Sequence, residues 1–153
     1  MLGEQLTELK GKVIGQRVFE VEPVGMETTV SARGTVKGVQ ATVLLIFIGS
    51  PTDEGGVIHG KGKGVIMVVG ESEMVTYTGE GIGRSETSGT ILWRGSIFLK
   101  SASKGKLSSL NNVVGAFEAE IDVEGNFSER TWEWNKETKT KRLATKELID
   151  LSM

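Results

Sequence analysis

The sequence predicts an all-β protein: one antiparallel up-and-down β-barrel of seven or eight strands, with a β-sandwich as the alternative. Three observations predict it. Apolar and polar residues alternate along successive segments joined by short turn sequences. Glycine recurs at every second position twice, at Gly60, Gly62 and Gly64 and again at Gly79, Gly81 and Gly83. Long runs with helical periodicity are missing until the C-terminus, and a barrel would leave so long a meander without exposed edges.

The glycine triplets organise the centre of the chain. Side chains alternate faces along a strand, so each triplet lies on one face. A turn at Glu71-Ser72 sets Gly60 against Gly83, Gly62 against Gly81 and Gly64 against Gly79, with Ile66 opposite Tyr77. A loop at Glu86-Thr87-Ser88 then sets Gly81 against Trp93, Gly79 against Gly95 and Tyr77 against Ile97. The outer face carries a Lys63–Glu80–Arg94 charge ladder. Glycine in a strand costs about 0.5–1 kcal/mol relative to alanine, so six together need a reason. Either they let strands coil sharply while Trp93 covers bare backbone, or they leave a pocket for a flat or apolar ligand. Neither triplet has the G-x-G-x-x-G spacing of a dinucleotide site or opens a helix.

Taken in order, Leu2, Leu6 and Leu9 stand at helical spacing and predict a turn or two of helix. Lys10 to Glu22 reads as the first strand, ending at the turn Pro23-Val24-Gly25. Met26, Thr28, Val30, Ala32, Gly34 and Val36 form one face of the second. The apolar set moves to odd positions from Val39, so Gly38 marks a bulge or corner. Val43 to Ile48 is apolar on both faces, as in a strand sandwiched between layers or held in a subunit interface. Ser50 to Gly56 is a loop. After Leu99, a turn at Ser103-Lys104-Gly105 leads to a strand from Leu107 to Val123, placing Trp93 against Gly115. The last hairpin has two readings. A three-residue loop with a bulge at Gly125 pairs Glu118 with Arg130 and turns Trp132 and Trp134 outward and Glu129 and Glu133 inward. A two-residue turn at Glu124-Gly125 reverses both. One domain covers 1–153, with 136–153 as a charged extension in which Leu143 to Leu151 forms a short C-terminal helix.

Composition narrows the function classes. At 153 residues the chain buries a substantial core. With 18 basic and 20 acidic residues the net charge is −2, so no nucleic-acid partner is expected. The absence of cysteine removes disulfides, thiolate metal sites and cysteine nucleophiles. The N-terminus has no basic region followed by an apolar run, and no apolar segment is long enough to span a membrane, so a cytoplasmic location without membrane partners is expected. No acidic cluster or E-x-x-H pattern occurs, so no metal and no cofactor are expected.

The candidate chemistry is sparse. His59, the only histidine, falls on the outer charged face opposite Arg84. Tyr77, the only tyrosine, faces inward, where it either packs as core or orients a ligand. Glu129 and Glu133 face inward in the bulged register, and a carboxyl in an apolar barrel has a raised pKa suited to proton transfer. Tyr77, Glu129 and Glu133 are therefore the catalytic candidates. Gly62, Gly64, Tyr77, Gly79, Gly81, Trp93 and Phe117 are the ligand-binding candidates. Glu118 and Arg130 form a surface pair, and Asn111 and Asn112 end a strand or line its mouth. In the bulged register Leu92, Phe98, Leu110, Val114, Trp132 and Trp134 gather on one outer face, an arrangement typical of self-association.

The segments Gly79–Arg84 (GEGIGR), Trp93–Gly95 (WRG), Asn111–Glu118 (NNVVGAFE) and Thr131–Trp134 (TWEW) resemble small prokaryotic β-barrels of mostly unknown function. Those barrels are similar in fold to allene oxide cyclase and, more distantly, to the lipocalin or calycin group. The first strand lacks the Gly-x-Trp of a lipocalin. The resemblance implies an apolar-lined barrel, dimeric or trimeric, that binds or isomerises a small hydrophobic molecule, and it carries over no catalytic residue. The readings, in order, are a barrel binding a small hydrophobic molecule, a filled oligomeric scaffold, and a cofactor-free isomerase or cyclase.

Overall fold

The computed structural model describes residues 2–135; the predicted charged and helical extension lies outside them. Eight strands in chain order form a closed antiparallel barrel: β1 (Leu2–Val21), β2 (Val24–Val36), β3 (Val39–Pro51), β4 (Val57–Val68), β5 (Met74–Ser85), β6 (Ile91–Ser101), β7 (Val113–Ile121) and β8 (Asn126–Trp134). Each strand pairs with its successor, and β8 closes the ring on β1. Among the described residues no second layer covers the sheet, and Leu44 on the outer face of β3 stays half-exposed. That excludes the sandwich, and the sandwiched reading of Val43–Ile48 with it.

Three predicted elements change. The N-terminal helix is strand: pairing of β1 with β8 slips around Gln5, and this irregularity lets Leu6 and Leu9, three apart, both point inside. The phase change at Gly38 is a hairpin, with Lys37 and Gly38 at φ 50° and 73° between Val36 and Val39. Two positive φ values are what a two-residue turn between right-twisted strands requires, and glycine supplies the second without strain. Leu107 to Leu110 does not begin a strand. A short 3-10 turn, Ser108–Leu110, folds Leu107 and Leu110 into the lower end of the barrel, both fully buried. Asn111 Oδ1 accepts the Ser101 N–H at 3.1 Å and ties this plug to the end of β6. Leu110 is thus core, not part of the outer apolar face.

The predicted faces hold, but the registers move. Gly60 pairs with Gly81, Gly62 with Gly79 and Gly64 with Tyr77, a two-residue shift set by a longer turn. That turn has Gly70 at φ 81° and the Glu71 N–H donating to Val68 O. Across β5–β6, Gly83 faces Trp93 and Gly81 faces Gly95, again shifted by two. Across β6–β7, Trp93 faces Ala119 rather than Gly115, a four-residue shift taken up by the plug. Even shifts keep every side chain on its face. The charge ladder does not survive them: Glu80 lies 3.6 Å from both Lys61 Nζ and His59 Nε2, and Lys63 faces Thr78.

The last hairpin takes the bulged register, pairing Glu118 with Arg130 and Ala119 with Glu129. Asp122 decides it. Its Oδ1 accepts the N–H groups of Glu124 and Asn126 at 3.0 and 2.9 Å, with Gly125 at φ 83°. The Asn126 amide and those N–H groups hold the Asp122 carboxyl below its usual range. Trp134 is accordingly exposed and Trp132 half-buried on the outside. At the upper end β8 leaves β1 at Lys12, and β1 runs on to Val21 paired with β2 alone.

Leu107 has no exposed surface, so Leu107→Ala removes packing from a closed site. Urea unfolding of that variant is expected to show a loss of about 2–5 kcal/mol.

Candidate functional site

The inward faces of β4 and β5 carry glycine, and aromatic rings fill most of the space it vacates. Trp93 reaches from β6 across β5 to β4. A Cβ on Gly83 would lie 2.9 Å from its Cε2, and one on Gly60 2.6 Å from its Cζ3. Real Cβ atoms do not approach so closely, so both positions exclude any side chain while the ring stays. Phe47 meets Trp93 edge-on, with centroids 5.2 Å apart and planes at 68°, the geometry that aromatic quadrupoles favour. The Tyr77 ring covers Gly64, and Phe117 Cζ stands 3.0 Å from the Cβ position of Gly81. The covering role is thus real at Gly60, Gly64, Gly81 and Gly83.

A cavity of about 100 Å³ remains beside Trp93, closed in part by Ile66, Tyr77 and Ile97. Gly62, Tyr77, Gly79, Gly81, Trp93 and Phe117, all predicted, border it, as does Glu129. Gly64 does not, because Tyr77 occupies its space. Glu133 shares the inward parity of Glu129 but stands opposite Gly115, away from the cavity. His59 is on the outer surface beside Glu80. Among the described residues no group of three or more His, Asp or Glu could hold a metal ion.

The polar corner of the cavity is Glu129. Thr7 Oγ1 donates to its two carboxylate oxygens at 2.9 and 3.0 Å, and Thr131 Oγ1 donates to Oε1. Both threonines are buried. Burial dominates the titration of Glu129 and pushes its pKa up to about 7, against the opposing effect of the Thr131 and Thr7 hydroxyls. Tyr77 is shifted upward too, chiefly by burial and then by the charge of Glu129. Its hydroxyl has no hydrogen bond to a described side chain. The Trp93 indole N–H is buried without a partner among the described residues.

Sequence reasoning missed Thr7, Thr131 and Phe47. Thr131 was legible as the residue two beyond Glu129 on the same strand face. Thr7 was hidden by the expected N-terminal helix. Phe47 stood on the odd-numbered apolar face, but an apolar residue in an apolar run carries no mark of a site.

A solved structure shares the fold. The crystal structure of a conserved protein of unknown function from Rhodopseudomonas palustris aligns with a TM-score of 0.69, covering 88% of this chain and 99% of that one. The two are 9% identical, so the likeness is one of fold. No family's sequence profile matches the chain, and no curated protein matches it in sequence. The barrel architecture is therefore common ground, while the finer resemblance to allene oxide cyclase has no sequence match behind it. Among the described residues no helix is long and apolar enough to cross a membrane.

Glu129 makes stability depend on pH. In the fold it holds its proton up to about pH 7, whereas the unfolded chain releases it near the ordinary glutamate value of 4.5. Between those values the unfolded state binds fewer protons, so its contribution to stability falls as pH rises, by roughly 3 kcal/mol in all, and levels off above. Glu129→Gln removes this slope. Denaturant titrations of both proteins across that window check it, and equal slopes would refute it.

Proposed function

We infer that the barrel binds a small, largely apolar molecule in its interior cavity. The observation that supports this reading is the cavity itself: an apolar space of about 100 Å³ bordered by the Glu129 carboxyl and by Trp93, whose indole N–H has no partner among the described residues. Close-packed interiors leave few voids larger than a water molecule, and ligand sites combine an apolar lining with a few placed polar groups. An engineered apolar cavity of about 150 Å³ takes benzene, so the space found here suits something slightly smaller. Catalysis in the same cavity would need a defined substrate proton near Glu129, and nothing in the chain selects a reaction. Binding therefore stands ahead of the cofactor-free isomerase or cyclase.

Gly62 and Gly81 are poor positions for blocking the cavity. A Cβ there would lie 2.8 Å from Ile46 O and 2.9 Å from Arg94 O, so a side chain would distort the sheet. Ala119 borders the cavity and already carries a Cβ. Small apolar probes are expected to shift the Trp93 indole and Phe117 ring resonances of the wild-type protein. Ala119→Leu, which fills the space, is expected to weaken binding about tenfold or more, a change of at least about 1.4 kcal/mol. Unshifted resonances in the wild type would remove the reading.

A second reading, self-association into a dimer or trimer, is supported by the outer surface. Phe98 stands opposite Val114 on β7, and Trp134 opposite Leu2 on β1. Phe98, Trp134 and Leu2 are each at least half-exposed. A contiguous apolar stripe of this kind usually marks an interface. Sedimentation is expected to show a concentration-dependent oligomer that Trp134→Lys dissociates; a wild-type monomer at every concentration refutes it.

A further inference from the structure

Five of the chain's nine aromatic residues (three Trp, one Tyr and five Phe in all) border the cavity described above: Phe47, Tyr77, Trp93, Phe117 and Phe127. The single carboxyl among them, Glu129, has no cationic partner among the described residues. Arg130, next along β8, points outward and lies 3.9 Å from Glu8. The two hydroxyls on Glu129, from Thr7 and Thr131, are donors placed to solvate its ionised form. Thr7 and Thr131 both reach Oε1, whereas Oε2 receives Thr7 alone.

From these placements we propose that the ligand is a small organic cation, an alkylammonium whose N–H donates to Glu129 while its carbon body lies among the aromatic rings. This deepens the binding reading above and rests on it. Aromatic faces attract cations, and desolvation strengthens the attraction. A buried carboxylate without a counter-charge is costly, and a ligand that brings the counter-charge lowers that cost where a neutral molecule of the same shape does not. Gly62 and Gly79 border the same cavity and put no side chain into it. A space smaller than the ~150 Å³ engineered cavity that takes benzene favours a short carbon body.

Other charged groups near Glu129 do not compete for this role. On the adjoining strands Glu8 and Lys10 of β1 and Glu118 and Glu120 of β7 stand at outward, exposed positions. Lys63 and Glu80, whose residues border the cavity, also have exposed, outward positions. Glu133 on β8 has the inward parity but lies opposite Gly115, away from the cavity. Tyr77 is the remaining titratable group on the cavity wall, and its upward shift keeps it neutral.

The test compares isobutylammonium with isobutanol, which have the same carbon skeleton, on the full chain, by following the Trp93 and Phe117 resonances. The ammonium is expected to bind at least about tenfold more tightly at about pH 8.5. Its affinity is expected to fall about thirtyfold at about pH 5.5, as Glu129 takes up its proton, while that of the alcohol holds steady. Glu129→Gln is expected to bring the two ligands within about twofold of each other. Should that variant fail to fold, the wild-type pH profiles decide alone. Equal or tighter binding of the alcohol, or an ammonium preference that persists at low pH or in Glu129→Gln, overturns the cation and leaves the cavity reading standing. No response to either compound overturns both.

Discussion

The interior of this barrel depends on one contact, the Trp93 ring laid across bare backbone at Gly60 and Gly83. An eight-stranded barrel has an interior just wide enough for side chains to fill. Here a single indole spans from β6 to β4, and the strands beneath it must give up their side chains to admit it. Phe47, edge-on to the indole, and Phe117, over Gly81, extend the same arrangement. Tyr77 over Gly64 repeats it one layer lower. The glycines and the aromatic residues therefore form one device: neither set makes sense without the other. What the rings do not fill becomes the cavity.

Faces were legible in the sequence and registers were not, and both facts have the same origin. Side chains repeat every two residues along a strand, so alternation identifies a face but is blind to a slip of two or four. Gly60 opposite Gly81 and Gly60 opposite Gly83 satisfy the pattern equally well. The choice between them lies in turn geometry, where a positive φ at Gly70 or a 3-10 turn at Ser108–Leu110 adds residues that composition does not reveal. The N-terminus misled for a related reason. Leu6 and Leu9 have helical spacing because an irregularity in the β1–β8 pairing restores both to the inside. Lys37-Gly38 was readable as a hairpin turn; the unbroken β character on each side of it disguised it as a bend.

The candidate site was half legible. Glu129 faces inward only because Asp122 and Gly125 build a bulged loop, and the turn residues favoured that register while aromatic burial argued for the other. The protein resolves the conflict by leaving Trp134 at the surface. Thr7, the hydroxyl that reaches both carboxylate oxygens, could not be placed from sequence, since it and Glu129 are 122 positions apart and meet only through ring closure.

That separation has a topological consequence. Thr7 belongs to the first strand and Glu129 to the last, so the polar corner is also the seam of the barrel. Contacts between β1 and β8 span nearly the whole described chain, and such contacts carry the largest loop-closure entropy and contribute most to slow folding. Until the seam closes, Glu129 is an ordinary solvated carboxyl on an open sheet. A molecule held against it would therefore act as a clasp, favouring the closed ring over states in which the two ends of the chain have parted.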